Sequence, residues 1–222
     1  MNPTNPMNPT NPTNQIKPLQ KIYDQEILGI NFAKWTGRQL VQAQKTDDQL
    51  ELINILVKQS IAPNMLHKLA QLSPQELKYV LTYMRKVSLS DVLKDEATCS
   101  SDTCDIIHSF EAPLDDIMTF TEGTYNCVVL NSTYSLKKLG QFDVTDIFQI
   151  LSKGISHIDG KELKEKEILN VIENLDAQEF TKLAKAWVEE SCKFNISFVF
   201  DCPCGHETEL DYSAGMPGFL DV

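Results

Sequence analysis

Apolar and polar positions divide the chain into two textures. From residue 37 to 86 the apolar residues recur at helical spacing. Leu50, Ile53, Leu56 and Val57 form one such face behind Asp47-Asp48, which favour a helix start. Thr36 can cap a helix that begins near Gly37. Pro63 punctuates the run, and Met65, Leu66 and Leu69 suit a short helix. Ser73-Pro74-Gln75-Glu76 is a capping box with proline at the first helical position. Leu77, Val80, Leu81 and Met84 then give that helix an apolar stripe. Residues 37–86 are therefore expected to be helical, preceded by an ambiguous stretch over 16–35 that suits a short strand and a connection.

Near Val87 the pattern changes to alternation. Residues 87–99 (VSLSDVLKDEATC) and 104–112 (CDIIHSFEA) read as two strands joined by a loop from Cys99 to Cys104. Further strands are expected at 117–120 and 126–131. Phe142 to Asp146 suit a helix start, followed by Ile147, Ile150 and Leu151 on one face and Gly154 as the stop. His157-Ile158-Asp159-Gly160 reads as a turn, and a helix is expected over 163–172. Asp176-Ala177-Gln178-Glu179 is a second capping box, opening a helix through Phe180, Leu183, Ala184 and Trp187 to about Glu190. Phe194, Ile196, Phe198 and Phe200 alternate as a half-buried strand does. They lead into Cys202-Pro203-Cys204-Gly205-His206 and a return strand.

Proline at every third position of residues 1–15 blocks both helix and ladder, so this Asn-Pro-Thr tract reads as a disordered arm. The remainder, 16–222, reads as a single α+β domain. Its hairpins at 88–112 and 194–212 are expected to lie side by side, because neither can bury its apolar face alone. The chain has 222 residues, 42% hydrophobic and 23% charged, with a formal net charge of -11. Phosphate binding needs a basic surface, so nucleic acid is not an expected partner, nor is an anionic membrane surface. No apolar run reaches membrane-spanning length, and the N-terminus lacks a charged-then-apolar signal pattern.

Six cysteines are present, and four of them sit in pairs at the two hairpin tips: Cys99 with Cys104, and Cys202 with Cys204. Two tight turns can each aim two thiolates at one point, which is how a tetrahedral zinc site is built from two half-ribbons. The expected site is therefore one structural zinc held by Cys99, Cys104, Cys202 and Cys204, with His206 as a reserve ligand. The spacings, four residues in one pair and one in the other, differ from the usual two. A reduced metal-free cluster and a disulfide or redox pair thus remain open readings. Cys127 and Cys192 lie in apolar contexts and read as small buried hydrophobes. The calcium-loop pattern around Asp159-Gly160 fails at Ile155 and Lys166. Trp35 and Trp187 read as packing anchors. His67, His108 and His157 share no nucleophile motif, and the chain has neither phosphate loop nor dinucleotide fingerprint.

The order of these segments resembles the baseplate protein family of T4-type contractile-tailed phages, which includes a small baseplate hub subunit. The resemblance spans roughly 25–212. It is carried by LSPQELKYVLTYMRKVSLSD with Tyr83 to Ser88 at the helix-to-strand junction, and by YSLKKLGQFDVTDIFQILSKGISHI with Tyr134 and Leu136 to Phe142. The Cys-Pro-Cys-Gly hairpin completes it. It departs from the family pattern in both cysteine pairs, the first wider than the two intervening residues expected and the second being Cys202-Pro203-Cys204, and in the Asn-Pro-Thr arm. The resemblance implies a non-enzymatic structural or assembly component of the baseplate hub, made in the host cytoplasm and carried in the virion tail. Its implied partners are other baseplate and tail proteins, with no small-molecule substrate. An assembly factor that leaves the hub, a zinc-ribbon adaptor, or a hydrolase using Cys204 and His206 are the alternatives.

Overall fold

The structure, a computed structural model, describes residues 21–46, 48–129, 132–139 and 147–212. The Asn-Pro-Thr arm and the helix start at Phe142–Asp146 lie outside the described residues. The first part is a small helical unit. Strands β1 (Gln25–Ile27) and β2 (Ile30–Phe32) form a hairpin, followed by α1 (Gly37–Ala43). Thr36 caps α1, and the capping-box partner Gln39 is buried. Its amide Nε2 donates to the Ile55 carbonyl and to Ser60 Oγ, each at 2.9 Å, which offsets the cost of burying it. Helix α2 (Gln49–Ile53) runs into a wide π turn at Asn54–Lys58. A 3₁₀ turn at Pro63–Met65 leads to α3 (Leu66–Leu69) and then to α4 (Pro74–Ser88).

The Ser73 box forms as expected, with Ser73 N–H donating to Glu76 Oε2 at 2.8 Å. Phe32, Leu56, Val80 and Met84 are fully buried together at the centre of this unit. Helix α4 runs to Ser88, so the strand expected from Val87 begins only at Val92. Val87 and Leu89 pack on the helical core, and Arg85 and Lys86 place positive charge in the last turn, where the helix dipole favours it.

Beyond Ser90 the chain lays down β3 (Val92–Thr98), β4 (Ile107–Pro113), the single turn α5 (Leu114–Ile117) and β5 (Met118–Thr121). Then β6 (Asn126–Val129), β7 (Ser132–Leu136), α6 (Ile147–Gly154), β8 (Ile155–Ile158) and β9 (Lys161–Glu162) follow. The strands β6-β7-β8-β9 make an antiparallel sheet in that order. β7, β8 and β9 were not anticipated, and the turn expected over 157–160 is confined to Asp159-Gly160, both at positive φ (52° and 75°). The turn is tied to β7 because Asp159 Oδ1 accepts the Thr133 N–H at 2.8 Å.

Helices α7 (Glu165–Glu173) and α8 (Ala177–Glu190) cover this sheet. Leu151, Ile155, Ile168, Ile172, Leu183 and Trp187 form its core. Asp176 Oδ1 accepts the N–H groups of Gln178 and Glu179, each at 2.8 Å, which satisfies two otherwise unpaired donors at the start of α8. Replacing Asp176 with alanine is expected to lower unfolding free energy by about 1 kcal/mol, within the usual range for caps. Urea unfolding of the variant checks this.

The chain closes with β10 (Lys193–Asp201) and β11 (Glu207–Asp211). β10 pairs with β11 at one end and with β5 at the other, both antiparallel. The whole is an α+β fold with antiparallel sheets. The two hairpins β3–β4 and β10–β11 are separate ladders that pack through their inward faces. Phe110 stacks on Phe198 at 4.6 Å between ring centroids, and Tyr212 Oη donates to Asp95 Oδ2 at 2.8 Å. Helix α4 anchors this pair from below, with Tyr79 stacked on Phe120 at 4.4 Å and the Ser73 hydroxyl 2.9 Å from Cys192 Sγ. Among the described residues no helix is long and apolar enough to cross a membrane.

Candidate metal centre

The strand alternation that buries Leu93 and turns the half-buried Phe110, Phe198 and Leu210 inward between the hairpins also fixes where their tips arrive. The Cys99–Cys104 loop is closed by Cys99 N–H donating to the Ile106 carbonyl at 3.0 Å and by Cys104 N–H donating to that of Ser101 at 3.0 Å. The other tip is closed by Cys202 N–H to the His206 carbonyl at 2.9 Å and Gly205 N–H to that of Cys202 at 2.8 Å. Gly205 takes φ +85°, which a side chain disfavours. The loops are also tied together directly. Ser100 N–H donates to the buried Thr208 Oγ1 at 3.1 Å, and His206 Nε2 lies 2.9 Å from Ser100 Oγ.

These turns bring all four predicted cysteines to one point. Cys99, Cys104, Cys202 and Cys204 have their sulfurs within 4.8 Å of one another, and such a group can hold a metal ion. Cys99 Sγ lies 3.7 Å from Cys204 Sγ, and Cys104 Sγ lies 3.7 Å from Cys202 Sγ, so each close pair joins one hairpin to the other. A tetrahedron with metal–sulfur bonds of ~2.3 Å has edges of about 3.8 Å, so these spacings fit a single ion. All four thiols are free, three buried and Cys204 exposed.

Backbone donors aim at the sulfurs as well. The N–H groups of Ser101, Ile106 and Cys204 point to Cys99, Cys104 and Cys202, each two residues ahead of its cysteine. The Ser101 N–H, helped by the Cys204 and Cys202 thiols and the Thr208 hydroxyl, outweighs burial and brings Cys99 down to about 7. For Cys104 the Ile106 N–H favours the anion, but burial and the thiols of Cys204 and Cys99 push the group up. For Cys202 the Cys204 N–H acts in the same favourable sense, and burial with three neighbouring thiols overrides it, pushing the thiol up to about 12. Without a cation the cluster therefore resists multiple ionisation, because adjacent anions repel. A divalent ion reverses that balance and displaces the protons.

His206, the expected reserve ligand, does not join the four sulfurs; its ring is turned to Ser100. His108 was not anticipated at the site, yet its Nε2 lies 3.2 Å from Cys202 Sγ. The signal for it was its parity with Phe110 and Ala112, which places it on the inward face of β4. Cys127 and Cys192 are buried away from the cluster; burial raises the Cys127 thiol pKa, and the Cys192 sulfur meets the Ser73 hydroxyl, a polar contact beyond the expected role of a small hydrophobe.

Comparison with known proteins adds one match: the family model for the T4 bacteriophage base plate protein matches residues 24–220. Neither the curated proteins nor the solved structures yield a match.

Proposed function

Starting from the premise that the chain belongs to the T4 bacteriophage base plate protein family, we propose that it is a non-enzymatic component of the baseplate hub. In this reading its two hairpins are locked by one structural zinc. The family membership carries the baseplate role. It also implies other phage tail proteins as partners and the virion tail as location. The convergence of four thiols at tetrahedral spacing carries the zinc. Cys99, Cys104, Cys202 and Cys204 are the ligands, in a split ribbon whose halves are separated by an insertion of helices and a four-stranded sheet. Four sulfur ligands close the coordination sphere and leave no place for a reacting water, so the ion holds structure and does no chemistry. It joins segments far apart in sequence and is bound only once they have met, so its binding free energy adds to folding.

Stable docking into a hub buries roughly 1,000 Å² or more. A tagged full-length chain recovered from infected cells is expected to bring other tail proteins with it, and to appear in the protein inventory of purified virions. Recovery with tail proteins from cells but absence from virions would convert the hub subunit into an assembly factor that departs. Recovery with nucleic acid and without tail proteins would overturn the baseplate reading.

A further inference from the structure

In the metal reading the three buried sulfurs depend on donors supplied by the protein, and Cys104 receives the Ile106 N–H. Four thiolates around a divalent cation carry a net charge of about -2, which must be dispersed by donors aimed at sulfur. Cys204 is exposed and water can serve it. Cys99 receives the Ser101 N–H, and the Thr208 hydroxyl stands 3.9 Å away. Cys202 is buried, and besides the Cys204 N–H the side chain aimed at it is His108.

We infer that His108 is a positioning residue of the metal centre, donating its Nε2–H to the Cys202 sulfur without entering the coordination sphere. This rests on the zinc reading above. Three features support it. The Nε2 to Sγ distance, 3.2 Å, is that of a hydrogen bond. No histidine nitrogen joins the group in which the four sulfurs lie within 4.8 Å of one another, as a ligand would. The ring is also held in place. It packs on Phe200 at 4.6 Å between centroids, and across the ladder it faces the small side chain of Ala97. The hydrogen bond crosses from β4 to the tip after β10, so the donor belongs to one hairpin and the acceptor to the other. His108 thereby fixes the direction of the Cys202 sulfur and withdraws charge from it.

The test uses the full-length chain and two variants, His108→Phe and His108→Gln. Phenylalanine keeps the ring packing on Phe200 and removes the donor; glutamine restores an N–H. Zinc affinity is measured by competition with a chromophoric chelator, and the ligand set by the absorption spectrum of the cobalt(II)-substituted protein. His108→Phe is expected to weaken zinc binding roughly 10- to 100-fold, the range for outer partners of metal ligands. His108→Gln is expected to recover part of that loss. All three proteins should keep the intense charge-transfer bands of four thiolates, which also shows that the variants fold. Equal affinity in wild type and His108→Phe would overturn the inference while leaving the zinc site intact. A changed cobalt spectrum in His108→Phe would overturn it differently, by making His108 a ligand. Failure of the wild-type chain to take up either metal would overturn the zinc reading and this inference with it.

Discussion

Replacing Cys204 with serine is expected to lower the thermal midpoint of the zinc-loaded protein by roughly 8–16 °C. The estimate follows from mass action. An ion bound only by the folded chain contributes about 4 kcal/mol when its free concentration is a thousand times Kd. Each kcal/mol moves the midpoint of a chain of this size by about 2–4 °C. Cys204 is the informative position because it is exposed. Serine there is near in shape and well solvated, so the substitution itself costs little and the loss reports the metal. An excess of chelator should impose a similar drop on the wild type and a much smaller one on the variant. The same account fixes the direction of the pH dependence. Cys104 and Cys202 are held above the ordinary thiol range and are protonated at neutral pH. Loading therefore releases about two protons from these two groups, with a further fraction from Cys99, whose pKa lies at about 7. Affinity must weaken as pH falls, most steeply once pH drops below 7 and Cys99 too is protonated. Zinc titrations at two pH values check the sign.

The second large effect is expected far from the metal, at Gly154. This residue ends α6, and a Cβ placed on it would lie 2.4 Å from two ring carbons of Trp187. Both residues are buried, in the core beneath the β6–β9 sheet. Gly154→Ala should therefore destabilise by about 1–3 kcal/mol through overpacking, in spite of alanine's better helix propensity. The colliding atoms belong to the outer ring of the indole, which phenylalanine lacks. Gly154→Ala combined with Trp187→Phe should then be less damaging than the sum of the two single changes, since neighbouring sites couple. Additive losses in urea unfolding would show that the close approach is relieved some other way.

Local signals were read correctly because they are complete within a few residues. The boxes at Ser73 and Asp176 need only a cap and its third neighbour, and both form. The alternation of Phe194 to Phe200 named the inward face of β10 before any partner was known. The four-stranded sheet was less legible. β7 (STYSL) and β8 (ISHI) are short and half polar, and they pair with each other across an intervening helix. Nothing within either segment announces the other. Val87 and Ser88 look strand-like in isolation, which hides the last turn of α4, whereas Val87 packs on a core built from distant residues.

The cysteines were legible as a set because each pair sits in a turn, though their spacing was a poor guide. Each tip's own hydrogen bonds set the direction of its sulfurs, and these allow four intervening residues in one loop and one in the other. The histidines show the limit most clearly. His206 follows Cys204 by two residues in the turn but spends its ring on Ser100. His108 is 94 residues from Cys202 and arrives beside it only through the packing of one hairpin on the other.

The central claim is that a metal ion joins the two hairpins through Cys99, Cys104, Cys202 and Cys204. The most direct test is elemental analysis of the full-length protein purified under reducing, metal-replete conditions. One zinc per chain is the predicted result. Less than about a tenth of an equivalent of any metal, from protein whose four thiols titrate as free, would contradict it, since a closed four-thiolate site retains its ion through purification.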